Sequence, residues 1–188
     1  MESTNEEITF RFDDVCINAD IDLINSITNY IYYIYPHARV IFGVSPLVHD
    51  NCGERVYPEI LNAHSDHRLL FAVDRAGLPT GLHPAVLMAG HGLAHVDHRL
   101  LGYEAQEMSI LISCSLVKAS IFIPPFNKYN GFTVDICKEQ NIELIKFEDG
   151  WRSMEYCTFD PSHKLWYLHA RCWTMDKIID WFGKWNTL

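Results

Sequence analysis

Short apolar runs alternate with longer amphipathic stretches along most of the chain, and this alternation limits the fold more than any single motif. Residues 8–12 read as a strand. Residues 20–35 read as a helix. Ile21, Ile24, Ile27, Ile31 and Ile34 recur at three- and four-residue spacing, Asn18 or Asp20 is placed to cap the start, and Pro36 stops it. Residues 39–44 form the next strand, closed by Gly43 and Ser45-Pro46, and 55–63 a short helix. Strand-like runs follow at 69–73 and 85–89, then a second long helix at 104–118 and a strand at 120–123 closed by Pro124-Pro125. Residues 131–140 are helical with Phe132, Ile136 and Cys137 inward. Residues 143–147 and 165–169 are strands, and 174–185 a closing helix with Ile178, Trp181, Phe182 and Trp185 on one stripe. Such repetition predicts an α/β domain over residues 1–188, a parallel sheet covered by helices, with 20–35 and 104–118 outside.

In folds of this kind chemistry collects at the carboxyl ends of strands. The polar residues sit there. Asp13-Asp14 close the first run, and His91-Gly92-Leu93-Ala94-His95 follow the run at 85–89. Residues 124–127 follow 120–123, Glu148-Asp149-Gly150-Trp151 follow 143–147, and His169 ends 165–168. Two imidazoles four residues apart on a helical turn share one face and can hold one cation. An Asp with two His is a three-ligand set with a position left open, the arrangement of a catalytic metal site rather than a closed structural one. On a regular strand Asp13 and Asp14 point to opposite sides, so they are expected to do different work, whereas Arg11 and Asp13 share a side. His98 and Asp97 fit either a supporting role beside the His pair or a capping, surface role. Trp151 fits either a sugar-stacking surface or the core. His49, His64 and His67 fit a solvated loop.

Composition narrows the partners. The 188-residue chain carries a net charge of −9 and a pI of about 5.5, which argues against a nucleic-acid partner. Its six cysteines form no C-x-x-C and no zinc-ribbon spacing, and all six are expected to be reduced. The polar, acidic start shows no secretory signal pattern, and the apolar runs are too short to span a bilayer. A cytoplasmic protein with no membrane span is the expectation; the oligomeric state is not legible.

The ordered series resembles the NodB-homology polysaccharide deacetylases (carbohydrate esterase 4-like), metal-dependent amide hydrolases on a distorted, incomplete (β/α) barrel. The likeness runs from Ile8 to about Arg171. Phe12-Asp13-Asp14 matches the first family motif and His91 to His95 the second, with Gly92 where Ser or Thr is usual. The third motif survives as Ile123-Pro124-Pro125-Phe126 without its Arg, the fourth as Asp149 with Trp151, and the fifth as a compressed Leu168-His169. Within the family, the chain looks like the small cytoplasmic WbmS-type deacetylase-like proteins of lipopolysaccharide O-antigen clusters.

The resemblance implies that Asp14, His91 and His95 hold one divalent metal, zinc before cobalt, nickel, iron or manganese. It implies Asp13 as general base, His169 as general acid and Asp149 as the residue that orients His169. The backbone at Pro125-Phe126 would hold the oxyanion, and Trp151 would face the sugar. Arg11 is the candidate replacement for the lost third-motif Arg as partner of the base, with Arg99 and Lys128 as alternatives. The implied substrate is an acylated amino sugar, as a sugar nucleotide or a lipid-linked glycan. Two other readings stay open: a degenerate deacetylase fold used for binding, and a metal-dependent hydrolase of another bond.

Overall fold

The computed structural model describes residues 8–15, 19–45, 80–93, 97–146, 157–160, 165–169 and 174–185. The expected helix at 55–63 and strand at 69–73 lie outside the described residues. Strand β1 spans Thr9–Val15, helix α1 Ile21–Ile34, β2 Arg39–Val44 and β3 Leu87–Gly90. After them come α2 (Tyr103–Leu116), β4 (Ile121–Phe122), α3 (Gly131–Glu139), β5 (Glu143–Leu144), β6 (Cys157–Asp160), β7 (Leu165–His169) and α4 (Met175–Trp185). Among the described residues, no helix is long and apolar enough to cross a membrane.

The strands form one sheet in the order β5-β4-β3-β2-β1-β7-β6. Every neighbouring pair is parallel except β6 with β7. Six parallel strands curl into a half-barrel, and the antiparallel β6, which the sequence pattern did not announce, closes the β7 edge. The curl is visible in contacts that skip strands. Arg39 on β2 donates to Glu143 on β5 at 2.7 Å, although β3 and β4 lie between them. Ile145, just past β5, packs against both the Ile41, Ala89, Ile121 and Ile123 cluster and the Leu165 and Tyr167 pair.

Strand alternation divides two interiors. Phe10, Phe12, Val40 and Phe42 face outward against Ile24, Ile27 and Ile31 of α1, with Trp166, Leu168 and Ile178 completing the cluster. The helix forms where its isoleucines predicted. Asp20 accepts from the Leu23 backbone N–H at 2.9 Å and satisfies an otherwise unpaired first-turn donor. On the inner side of the half-barrel stand Ile41, Ala89, Ile121, Ile123 and the polar residues of β1. In α3, Thr133, Ile136 and Cys137 turn inward, whereas Phe132, expected inward, is 47% exposed. The reason is the cap: Thr133 is held by a reciprocal capping box with Asn130, and this fixes the helix rotation.

Candidate active site

The expected end of the first strand requires correction. β1 runs on through the carboxylate pair to Val15. Phe12 pairs with Phe42 and Val15 with Val44, so β1 uses one more residue than β2 over this stretch, and Asp13 and Asp14 together oppose Gly43. This is a β-bulge. Asp14 accommodates it with φ of 60°, a left-handed conformation that Asp tolerates better than most residues. The expectation that the two carboxylates point to opposite sides fails for that reason. Alternation holds only on a regular strand, and the bulge turns both toward His91. Its Nε2 lies 3.4 Å from Asp14 Oδ1 and 3.8 Å from Asp13 Oδ2.

Gly43 makes this crowding tolerable. A methyl group there would lie 3.4 Å from both Asp13 Oδ1 and His91 Cγ and 3.2 Å from Ile123 Cδ1. Nothing in the sequence beyond a glycine near a strand end pointed to this role.

Arg11 is fully buried beside Asp13. Its Nε donates to Asp13 Oδ1 at 2.6 Å, and one terminal guanidinium nitrogen donates to Oδ2, a two-pronged ion pair. The guanidinium also lies over the Tyr167 ring, 5.0 Å from its centroid. Arg11 reaches Asp13 from β1 itself, not from the loop where the third-motif Arg is usual.

His91 stands at the end of β3, placed by its backbone N–H donating to Val44 at 3.0 Å. Its Nδ1 lies 2.9 Å from the Ile123 carbonyl. A carbonyl only accepts, so Nδ1 carries a proton and Nε2 is the atom presented to the carboxylates. Burial pulls its pKa down, but the charge of Asp13 and the hydrogen bond and charge of Asp14 outweigh both burial and Arg11, and the value rises above the ordinary 6.5. Of Arg11, Asp13 and Asp14, the two carboxylates outnumber the guanidinium by one negative charge, and both lie near the imidazole nitrogen. A cation between Nε2 and the carboxylates, whether a proton or a metal ion, meets that imbalance, and the donor set of imidazole nitrogen and carboxylate oxygen suits zinc. Among the described residues no group of three His, Cys, Asp or Glu comes together as a metal site. His95 lies outside the described residues, so they hold two of the three expected ligands, Asp14 and His91.

Beyond β4 the chain turns sharply through Pro125–Asn127, with φ of 56° at Phe126 and 55° at Asn127. Left-handed backbone is sterically costly at a bulky residue such as Phe. The Phe126 ring is 44% exposed and Pro125 is buried. On β7, His169 pairs in register with Asp13, so its backbone adjoins the base candidate. Asp149 and Trp151 lie outside the described residues. Of the other base-partner candidates, Arg99 binds Asp97 at the surface.

No family model matches the sequence, and no curated protein matches it. Solved structures do share its architecture. A CE4-family pseudoenzyme from Bacillus anthracis is 11% identical with a TM-score of 0.52, over 96% of this chain and 62% of its own. A mutant of that pseudoenzyme with restored enzymatic activity is 12% identical with the same TM-score, over 97% and 64%. A family 4 carbohydrate esterase from Streptomyces lividans, in complex with acetate, is 14% identical with a TM-score of 0.47, over 77% and 64%. The chain thus spans less than two thirds of the length of these structures. What it shares with the two Bacillus anthracis structures is the fold, the incomplete barrel of the family 4 carbohydrate esterases.

Proposed function

We propose that this chain is a metal-dependent N-deacylase of the NodB-homology type, removing an acetyl or formyl group from an amino sugar in a precursor of surface polysaccharide such as O-antigen. The observation that carries this reading is the convergence of Asp13, Asp14 and His91 Nε2 on one spot, with Arg11 in a two-pronged pair with Asp13. In this reading Asp13 is the carboxylate oriented by Arg11, and Asp14 joins His91 and His95 in holding a divalent ion, zinc first. When bound, that ion polarises the amide carbonyl and acidifies water.

The remaining work falls to the chain. Asp13, oriented by Arg11, accepts the proton of the attacking water. The backbone at Phe126 donates to the developing oxyanion. His169, beside Asp13 in register, protonates the departing amine, with Asp149 orienting it and Trp151 facing the sugar. A substrate met in the cytoplasm is a sugar nucleotide or a lipid-linked glycan.

The test is metal content of tag-free protein, followed by amine release from acylated amino-sugar nucleotides. One equivalent of metal with amine release is the expected result. Metal without release from any acylated amino sugar points to a degenerate binding protein on this fold. Absence of metal uptake removes the reading.

A further inference from the structure

Helix α2 buries a stripe that ought to be apolar and is not. Gln106, Ser109 and Ser113 are all buried, alongside Ile110 and Cys114. Buried polar groups are costly unless bonded, so their partners matter. Ser113 bonds within its own helix, to the Ile110 carbonyl. Gln106 donates to the Leu101 carbonyl at 2.9 Å and to Asn130 Oδ1 at 3.2 Å, and accepts from Thr133 Oγ1 at 2.6 Å. Ser109 Oγ accepts from the Leu93 backbone N–H at 3.1 Å and lies 3.3 Å from His98 Nε2. One hydroxyl therefore binds chain on both sides of the segment that, in sequence, carries His95.

His98 is built for that contact. It is fully buried, with its ring 5.2 Å from that of Phe122. Among the described residues its Nδ1 has no hydrogen-bond partner. The ring's hydrogen bond among the described residues is therefore the one between Nε2 and Ser109 Oγ.

We infer that Ser109 and His98 are positioning residues: together they staple Leu93, two residues past His91, and His98 to α2, and so hold in place the chain that leads out of His91. The inference rests on the metal reading above and goes beyond it. Neither residue touches the ion or the substrate. Outer partners that orient metal-binding loops typically change metal affinity by about 10–100-fold.

The experiment uses the full chain and cobalt(II) as a spectroscopic probe, with thermal unfolding as a check on folding. Ser109→Ala and His98→Leu are expected to weaken cobalt binding by about 10–100-fold and to alter its visible absorption. The decisive pair is His98→Gln and His98→Asn. A Gln amide nitrogen reaches roughly where Nε2 stands, and Asn reaches only toward Nδ1. Folded His98→Gln should recover wild-type cobalt affinity while His98→Asn does not. Equal behaviour of Gln and Asn, or wild-type affinity and spectrum in Ser109→Ala or His98→Leu, overturns the staple. Wild-type protein that binds no cobalt overturns the metal reading and the staple with it, a result distinct from the others because no variant is involved.

Discussion

His91 and His98 lie seven residues apart, both fully buried, and their proton affinities move in opposite directions. His91 meets two carboxylates, which overcome burial and raise its pKa above 6.5. Burial, reinforced by the charge of His91, pushes His98 down to about 4, with Asp97 only partly opposing. The same side chain thus faces two carboxylates in one place and is a neutral hydrogen-bonded ring in the other. Burial lowers both, and the charge of the neighbours decides the direction.

The sharpest test of the charged half lies in its two unlike carboxylates. Asp13→Asn should retain metal and lose about 10²–10⁴-fold in turnover, the usual cost of a lost general base. Metal stoichiometry and amine release, measured on the same preparation, read this out. Full activity in the variant rules out the assigned role. Loss of metal as well would show that Asp13 is a ligand, in keeping with its 3.8 Å approach to His91 Nε2.

Removing Arg11 attacks the same half through stability. Arg11→Met leaves Asp13 buried without its counter-charge and should cost about 3–5 kcal/mol in urea unfolding. Adding Asp13→Leu to Arg11→Met should recover much of that loss, because a buried ion pair replaced on both sides by apolar groups is often nearly neutral. A double variant as unstable as the single would mean that Arg11 matters for its packing over Tyr167 and not for its charge.

The neutral half is tested by acid. Unfolded, His98 takes a proton near pH 6.5; folded, only near 4. Between those values the unfolded chain binds more protons, so stability should decline as pH falls through that window and level off below it, by roughly 3 kcal/mol for this group. His91 runs the other way: its contribution is complete below about 6.5 and is lost as pH rises through its raised folded value. His98→Gln should flatten the acid limb of unfolding free energy against pH in metal-free protein. An unchanged acid limb would mean that His98 is not kept neutral by the fold.

How far the sequence reveals this arrangement depends on the range of the forces involved. Local periodicity was enough for α1, where the isoleucine spacing places Ile24, Ile27 and Ile31 inward, and for β7, whose bounds match the apolar run. Strand alternation was enough to put Arg11 and Asp13 on one side. It failed one residue later, because a bulge is set by pairing with β2 and not by β1's own residues. The setting of His98 was equally illegible, since its contacts come from Ser109, eleven residues away, and from Phe122 on β4. The antiparallel β6 was missed because a four-residue edge strand carries too little pattern to stand out.

The smallest predicted effect probes the point where the bulge and the histidine meet. Gly43→Ala adds one methyl group opposite both Asp13 and Asp14. Its nearest neighbour is Ile123 Cδ1 at 3.2 Å, the end of a flexible side chain, and the next are Asp13 Oδ1 and His91 Cγ at 3.4 Å. Ile123 can yield by a rotamer adjustment, but its carbonyl also holds His91 Nδ1, so movement there is transmitted to the imidazole. Overpacking of this kind costs about 1–3 kcal/mol, and the lower end is expected because no backbone atom is struck. The contrast is Gly90→Ala, where a methyl would meet the Cys114 backbone nitrogen at 2.8 Å and α2 itself must shift, so its cost should be the larger. Thermal unfolding of the two variants ranks them. A Gly43→Ala protein as stable as wild type and with unchanged metal affinity would show that the site has slack at β2, and that the opposed glycine is not what lets the two carboxylates and His91 converge.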